Sequence, residues 1–299
     1  MADGKVISAQ IDAQEWLEPI ADKMQGAVQA AYDAAGPAKK PIENALNGVW
    51  MGHVLHPAVV TVPIGAWTVT AALDLLEGAG KSEYAPGADA SLAVGLAGAA
   101  SAAVTGLTQW YPHKEASVKK TGAAHALLNI TATVLYGASY AARKQGNRGA
   151  GRALGFLGYG LVMTSAYLGG ELAHEKNLGA DHAPRRGLPA EFIPVLSAAA
   201  LPENAPTLAQ TGDLKLVLVK QGARIHALAN SCSHHGGPLS EGRLENGCLV
   251  CPWHGSRFRL EDGHNEDGPA TFAQPCFETR VKNGQIEVRT NTALPQNRQ

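Results

Sequence analysis

Two short motifs in the last third of the chain constrain its fold more than any other feature. Cys232-Ser233-His234 is followed, after residues 235–250, by Cys251-Pro252-Trp253-His254. Thiolates and imidazoles bind iron and zinc, and glycines next to both motifs allow the backbone to turn tightly beside such ligands. The spacing therefore predicts two loop tips that present two sulfur and two nitrogen ligands to one metal centre.

The stretch from Cys232 to Phe258 resembles the Rieske family, and the resemblance extends over roughly residues 189–290. Proteins of this family hold a [2Fe–2S] cluster with two cysteines on one iron and two histidines on the other. The resemblance implies the same cofactor here, with four metal ligands: Cys232 and Cys251 on one iron, His234 and His254 on the other. It also implies that the Ser256 hydroxyl bonds a sulfide of the cluster.

A zinc site is the other interpretation of the cysteines. Cys248 and Cys251 have the spacing of half a zinc site. That interpretation leaves His234 and His254 unused and supplies no second cysteine pair. We therefore expect Cys248 and Cys276 to be buried thiols of the core.

Three positions depart from the high-potential branch of the Rieske family. That branch has an extra cysteine in each loop, and the corresponding residues here are Gly237 and Trp253. We therefore expect no disulfide between the loops. A tyrosine of the same branch is replaced by Phe258. Hydrogen bonds to sulfur raise the potential of a cluster, so these departures predict a lower potential.

Upstream of the motifs, the sequence predicts four apolar helices. Apolar stretches cover residues 54–76, 90–111, 122–142 and 152–172. Each is about 20 residues long, which matches the hydrocarbon core of a bilayer. Charged residues are nearly absent inside them, whereas the alternative, a soluble bundle, is expected to have a charged outer face. The stretches therefore predict a four-helix transmembrane bundle.

The predicted fold class is α + β multidomain, with the helical bundle followed by a small antiparallel all-β Rieske domain. We expect a helical, interfacial segment over residues 1–53, a four-helix membrane domain over 54–175, a linker over 176–189 and the Rieske domain over 190–299. A soluble helical hairpin is the alternative for the first segment. In the last one, short alternating strands and the Asn283-Gly284 turn indicate antiparallel β structure.

Polar residues near the ends of the predicted spans gather at one membrane face. They are His53, His56, Gln109, His113, His125, Asn129, Glu171 and His174. Ionisable groups in a membrane bundle mark functional paths. Three interpretations stay open: a haem b between His56 and His125, a quinone site of His125, Asn129 and Glu171, or purely structural hydrogen bonds. Leu55-His56-Pro57, followed by Val60-Thr61-Val62-Pro63, resembles an uncharacterised bacterial four-helix membrane family, some of whose members carry a fused Rieske domain.

Charge bears on partners and on localisation. The formal net charge of −1 argues against a nucleic-acid partner, and no signal-peptide pattern is visible at the N-terminus. The membrane face with both chain ends carries Lys39, Lys40, Lys114, Lys119, Lys120, Lys176, Arg185 and Arg186. The other face carries fewer basic residues, Lys81, Arg143, Lys144, Arg148 and Arg152. The positive-inside rule therefore favours a multi-pass protein of the bacterial inner membrane with a cytoplasmic Rieske domain.

These features predict a membrane-anchored electron carrier, an oxidoreductase component rather than a stand-alone enzyme. It would pass single electrons between a membrane redox partner, a quinol or a haem, and a protein partner at the surface. The alternative is a redox sensor or scaffold whose cluster reports the redox state without turnover. A Rieske oxygenase would need a large catalytic domain with a two-histidine, one-carboxylate iron site, and we expect none after His254.

The loop residues predict a low-to-middle reduction potential. Gly237, Trp253 and Phe258 remove a disulfide and a hydrogen bond that high-potential relatives have. We therefore expect a midpoint in the lower or middle part of the Rieske range of about −150 to +300 mV. A redox titration followed by EPR measures it, and a midpoint near the top of that range contradicts the prediction.

Overall fold

The computed structural model describes the backbone of residues 5–291 and the side chains of residues 9–291. Contacts between residues divide this part of the chain into two units, each formed by two stretches of sequence. The helical unit comprises residues 5–36 and 55–178, and the β unit comprises residues 37–54 and 179–291.

The α-helices account for most of the first half of the chain. In chain order they are α1 Lys5–Asp12, α2 Leu17–Ala34, α3 Lys39–Asn47, α4 His56–Val59, α5 Thr61–Gly78, α6 Ala85–Trp110, α7 Ala116–Lys144 and α8 Arg148–His174. α4 starts at the His56-Pro57 pair, where proline suits the first turn because its ring presets φ and no N–H is needed there. The four predicted spans correspond to α4 with α5, α6, α7 and α8.

The long helices α5 to α8 pack closely because glycines lie at their contacts. α5 packs on α6, α6 on α7, α7 on α8, and α8 on α5. The rings of Trp67 and Tyr136 stack with centroids 4.0 Å apart. Gly95 faces the first ring and Gly158 the second, and a Cβ at either glycine would press on the ring. Small residues of this kind allow the close helix approach typical of membrane bundles.

Within the part of the chain that the structure describes, three helical segments are long and apolar enough to cross a membrane: His56–Gly78, Ser82–Trp110 and Arg148–His174. The fourth predicted span, residues 122–142, lies within α7 and is not among them. His125 and Asn129 stand inside its apolar stretch and lower its mean hydropathy. The sequence thus predicted four spans, and three helices meet the length and composition of a span.

Charged side chains meet where α5 ends and α6 begins. The buried Arg143 guanidinium donates to the two carboxylate oxygens of Asp74 at 2.8 and 2.5 Å, and to Asp89 at 3.3 Å. Arg148 donates to both oxygens of Glu77 at 2.6 and 2.8 Å, and to Asp89 at 3.0 Å. Burying an unpaired charge costs several kcal/mol. The pairing therefore allows these residues to join all four long helices.

The β unit consists of two antiparallel sheets. Its strands are β1 Ile193–Ser197, β2 Thr207–Thr211, β3 Leu214–Gln221, β4 Arg224–Ala229, β5 Arg243–Glu245, β6 Cys248–Val250, β7 Arg257–Arg259, β8 Asn265–Asp267, β9 Cys276–Lys282 and β10 Gln285–Thr290. One sheet has the order β1-β10-β9-β4-β3-β2, and the other has the order β5-β6-β7-β8. The antiparallel β structure predicted from the sequence is confirmed.

Local turn chemistry and a common core build this unit. Asn283 and Gly284 have φ values of 51° and 76° and connect β9 to β10, which confirms the predicted hairpin turn. Between the sheets, buried residues such as Leu228, Leu249 and Phe258 form one hydrophobic cluster. The cysteines of the two motifs belong to the same cluster, so the core itself anchors the candidate site.

The observed units differ from the predicted domains at two places. Residues 37–54, predicted as part of a 1–53 segment, belong to the β unit, and so do residues 179–189 of the predicted 176–189 linker. Hydrogen bonds to loops distant in sequence hold both stretches, and composition does not reveal such bonds. The interfacial position of the first segment stays a prediction. Residues 1–4 and 292–299 of the predicted end domains lie outside the described residues.

We expect Arg143→Leu to destabilise the helical unit by about 3–5 kcal/mol, because it leaves the buried Asp74 carboxylate without its cation. Thermal unfolding followed by far-UV circular dichroism measures the loss. The exposed Lys81 is the matched control, since Lys81→Ala removes a cation without a buried partner and should change stability by less than about 0.5 kcal/mol. Equal melting temperatures for the two variants would contradict the expectation.

Candidate functional site

The first motif lies on the loop between β4 and β5, in a tight turn closed by its own backbone. The Cys232 carbonyl accepts from the N–H of Gly236 at 2.8 Å, and the Cys232 N–H donates to the Gly237 carbonyl at 2.9 Å. Gly236 has a φ of 76°, a conformation that residues with a Cβ rarely adopt. The turn therefore needs the glycine at this position.

The second motif, between β6 and β7, repeats this turn at the same sequence offsets. The Cys251 carbonyl accepts from Gly255 N–H at 3.1 Å, and the Cys251 N–H donates to the Ser256 carbonyl at 2.9 Å. Gly255 has a φ of 74°. The two motifs are thus copies of one structural device, although two residues separate Cys251 from His254 and only one separates Cys232 from His234.

Backbone N–H groups point at the sulfur atoms in both turns. The Cys232 sulfur accepts from the N–H groups two and three residues later, at His234 and His235. The Cys251 sulfur accepts from the equivalent pair in its own turn, Trp253 and His254. Hydrogen bonds of this kind stabilise negative charge on sulfur, which a thiolate needs before it can bind a metal.

The two thiols lie side by side in the core. The Cys232 thiol donates a hydrogen bond to Cys251, which lowers the pKa of Cys251 to about 7. The same bond, together with burial, raises the pKa of Cys232. Cys232 is 1% exposed and Cys251 is 3% exposed. The two buried sulfur atoms therefore lie close enough together for one cation to bind both.

The imidazoles of the two motifs also converge. His234 Nδ1 and His254 Nδ1 are 3.2 Å apart, and the ring planes are nearly perpendicular, at 87°. Both residues are half-buried. Two nitrogen atoms that face each other at this distance can serve as a pair of ligands for one metal ion, and each ring then keeps its Nε2 for another contact. The structure thus brings together the four side chains that the sequence predicted as ligands.

Two residues that the sequence analysis missed hold the first loop. The buried Gln274 amide donates to the Ala229 carbonyl at 2.7 Å and to the Ser231 carbonyl at 2.6 Å, and its oxygen accepts from Ser233 N–H at 3.1 Å. The Ser233 hydroxyl donates to the Phe272 carbonyl at 2.8 Å. No sequence signal marks Gln274, because it lies far along the chain from the motif it supports.

The departures from the high-potential branch have direct structural counterparts. A Cβ at Gly237 would lie 3.0 Å from Cys251 Sγ and 3.1 Å from the Trp253 ring. The Trp253 ring therefore packs on the first loop where relatives have a disulfide. The predicted sulfide partner Ser256 is buried, and its Oγ accepts from the Ala270 N–H at 3.0 Å.

Comparison with known proteins bears directly on this arrangement. A model of the Rieske [2Fe-2S] domain matches residues 191–278. Ferredoxin CarAc of Metapseudomonas resinovorans is 32% identical over 79 residues, which are 26% of this chain and 74% of that protein. The chain belongs to the Rieske family. A second model, described as a predicted membrane protein family (DUF2231), matches residues 52–182 of this Rieske protein, so both family resemblances of the sequence are confirmed.

Other relatives of this Rieske protein differ widely in size. The ferredoxin component of the alkene monooxygenase system of Xanthobacter autotrophicus is 30% identical over 115 residues, 38% of this chain and 92% of that protein. Apoptosis-inducing factor 3 of Homo sapiens is 36% identical over 77 residues, 26% of this chain. The match spans 13% of that relative's length, so its likeness covers one domain of a larger protein.

The Rieske domain implies a [2Fe–2S] cluster, and the donor set fits it. Two adjacent sulfurs and two facing imidazole nitrogens are the ligands that such a cluster needs. The zinc alternative lacks support, because the hydrogen-bond partner of the Cys251 sulfur is Cys232 and not Cys248. Cys248 and Cys276 are buried free thiols, as predicted, and burial raises the pKa of Cys276 to about 11.

The predicted membrane residues are engaged by neighbouring helices. His125 Nδ1 lies 2.8 Å from the Ser165 carbonyl and 2.9 Å from Ser165 Oγ, and its Nε2 lies 3.1 Å from Asn129 Nδ2. Both ring nitrogens of His125 therefore have partners, and Gly169 lets α8 approach the ring closely. These contacts leave no nitrogen of His125 for a haem iron, so the residues present do not fit the predicted haem.

The remaining predicted polar residues differ in their contacts and in their exposure. His56 Nδ1 lies 3.2 Å from Thr105 Oγ1. The buried Glu171 carboxylate receives no hydrogen bond within the described residues, and Lys176 Nζ lies 3.7 Å from it. His53 belongs to the β unit. The others differ in exposure, with His113 buried, Gln109 half-buried and His174 exposed.

We expect Cys251→Ser to abolish cluster binding and Cys248→Ser to preserve it. The first substitution removes a sulfur from the converging donor set, whereas the second removes a thiol three positions away that faces the core. Iron content and the visible absorption of purified protein measure the difference. Loss of metal in both variants would contradict the expectation and favour a site built on Cys248 and Cys251.

Proposed function

We propose that this chain is a membrane-anchored Rieske protein that passes single electrons between a membrane redox partner and a surface partner. Cys232 and Cys251 hold one iron of the cluster, and His234 and His254 hold the other. The observation that carries the proposal is the repeated turn, which brings two buried sulfurs and two facing imidazole nitrogens together.

Bound there, the [2Fe–2S] cluster supplies reversible one-electron chemistry. The protein contributes the surroundings. The two cysteines are almost fully shielded from water, whereas the two histidines are half-buried. Half-buried imidazoles are partly open to a partner, and a ring proton can be gained or lost there with the electron.

The helical unit acts as a transmembrane four-helix bundle in this proposal. Three helical segments are long and apolar enough to span a bilayer, and the DUF2231 match covers the same region. Large apolar side chains such as Leu75, Val94 and Leu157 are more than half exposed on these helices, which suits contact with lipid. The distribution of lysine and arginine supports the bacterial inner membrane, with the Rieske domain in the cytoplasm.

Relatives suggest the class of partner. One of them is named as a ferredoxin and another as the ferredoxin component of an alkene monooxygenase system, so a redox protein that docks at the half-buried imidazoles is the first candidate. A quinol at the membrane is the second. Glu171 supports this second candidate, because its buried carboxylate lies 3.7 Å from Lys176 Nζ and accepts no hydrogen bond within the described residues, and ionisable groups of this kind mark functional paths in membrane proteins. A redox sensor without turnover is the alternative function.

The test uses membranes from cells that express the full chain. We expect a cluster signal in the membrane fraction by EPR, and we expect reduction of the cluster either by a quinol or by a ferredoxin reductase with its nicotinamide donor. Glu171→Gln should slow reduction by quinol and leave reduction by the protein donor unchanged. A cluster that no donor of either class reduces at a useful rate would favour the sensor.

A further inference from the structure

Asn44 of helix α3 forms hydrogen bonds to the loop of the β unit that contains Gly268. Asn44 Nδ2 donates to Asp267 Oδ1 at 2.9 Å, and Asn44 Oδ1 accepts from the Gly268 N–H at 2.9 Å. Lys40 Nζ donates to the Gly268 carbonyl at 2.8 Å. Both polar groups of the Gly268 backbone are therefore bonded to α3, and the amide of Asn44 uses its donor and its acceptor at once.

The contact between α3 and this loop is close. A Cβ at Gly268 would lie 3.1 Å from Val49 Cγ2 and 3.3 Å from Asn44 Oδ1. Gly268 is buried, and Asn44 is half-buried. Asn44 bonds both a carboxylate and a neighbouring backbone N–H, and it does so inside a packed contact. Hydrogen bonds in such a place restrict the loop more than solvent-exposed hydrogen bonds would.

The same loop is hydrogen-bonded to Ser256, the serine that follows the second motif. The Ala270 N–H, two residues after Gly268, donates to Ser256 Oγ at 3.0 Å. Asn265 Nδ2 donates to the Ala270 carbonyl, so Ala270 is held on both sides of its backbone. Ser256 and Ala270 are fully buried. A hydroxyl that accepts from a backbone N–H keeps its own hydrogen for donation elsewhere.

We propose that Asn44 is a positioning residue for the cluster, acting through Gly268 and Ala270 on the hydroxyl of Ser256. By fixing Ala270, α3 keeps one lone pair of the hydroxyl occupied and its hydrogen directed away from Ala270. A hydrogen bond from that hydroxyl to a cluster sulfide raises the reduction potential. The inference rests on the proposed function, because it assumes a [2Fe–2S] cluster at the second motif.

Helix α3, which carries Asn44, lies outside both family matches. The Rieske match begins at residue 191 and the membrane-family match at residue 52, whereas α3 covers residues 39–47. The chain after α3 leads within a few residues into α4, the first helix of the membrane-family region. Asn44 therefore belongs to a stretch outside both family matches, and it contacts a loop of the Rieske domain next to the candidate site.

The first experiment measures the midpoint potential of the full chain with Asn44→Leu, which keeps the approximate volume and removes both hydrogen bonds. We expect a lower potential, in the same direction as Ser256→Ala. The expected threefold to tenfold change in the ratio of oxidised to reduced protein corresponds to about 30 to 60 mV. Ile42→Ala is the matched control, because Ile42 is an exposed residue of the same helix, and its potential should equal that of the wild type.

A double-mutant comparison tests the route through Ser256. In the Ser256→Ala background, Asn44→Leu should cause no further shift, since the hydroxyl that it positions is absent. Additive shifts would overturn the proposal, because Asn44 would then act independently of Ser256. An unshifted Asn44→Leu protein with normal iron content would overturn it as well.

A swap variant covers the case in which Asn44→Leu fails to fold. Asn44→Asp combined with Asp267→Asn exchanges the amide and the carboxylate, and it should restore the wild-type potential that Asn44→Asp alone lowers. Failure of the swap to restore the potential would overturn the proposal. Iron content and the EPR signal of the wild type separate this result from failure of the proposed function, in which the wild type itself would bind no [2Fe–2S] cluster.

Discussion

The Cys232 and Cys251 sulfur atoms, which lie buried side by side and are hydrogen-bonded to each other, are the constraint that shapes both loops of the candidate site. Charge or an unpaired polar group in such a place is costly unless donors surround it, and the two turns supply backbone N–H groups at equal offsets from Cys232 and Cys251. The positive φ of the glycine in each turn makes this geometry possible. The sheets and Gln274 then hold the turns rigidly, as a metal site requires.

In the helical unit, too, buried charged groups need partners, and here side chains rather than backbone N–H groups supply them. Its buried charges are paired, and Arg143 and Arg148 between them engage carboxylates from α5 and α6. Some of its neutral polar side chains are held in pairs as well, and the half-buried His125 is held by Ser165 and Asn129. Glu171 is different, because its buried carboxylate has an ion-pair neighbour but no hydrogen bond. A group that the fold leaves unsatisfied is a reasonable place to look for function.

Domain boundaries drawn from composition and from contacts disagree in an informative way. Composition changes sharply where apolar sequence begins, near residue 54, and this change predicts a boundary there. The contacts join residues 37–54 to the β unit instead, because Lys40 and Asn44 bond the backbone and a side chain of a loop more than 200 residues later. Hydrogen-bond partners at such separation leave no trace in local composition.

Resemblance of the Cys232 to Phe258 stretch to the Rieske family predicted the Rieske domain and the four converging side chains. Local patterns predicted the Asn283-Gly284 hairpin and the apolar helices, because turn chemistry and hydropathy are properties of neighbouring residues. The sequence did not reveal that Gln274 supports the first loop, that Arg143 neutralises Asp74, or that both nitrogens of His125 are occupied. These contacts join residues far apart in the chain, and only the tertiary structure decides which of many polar side chains become partners. The residue types of the two motifs were thus enough to indicate the kind of metal centre. Which side chains surround that centre was decided by packing between distant parts of the chain.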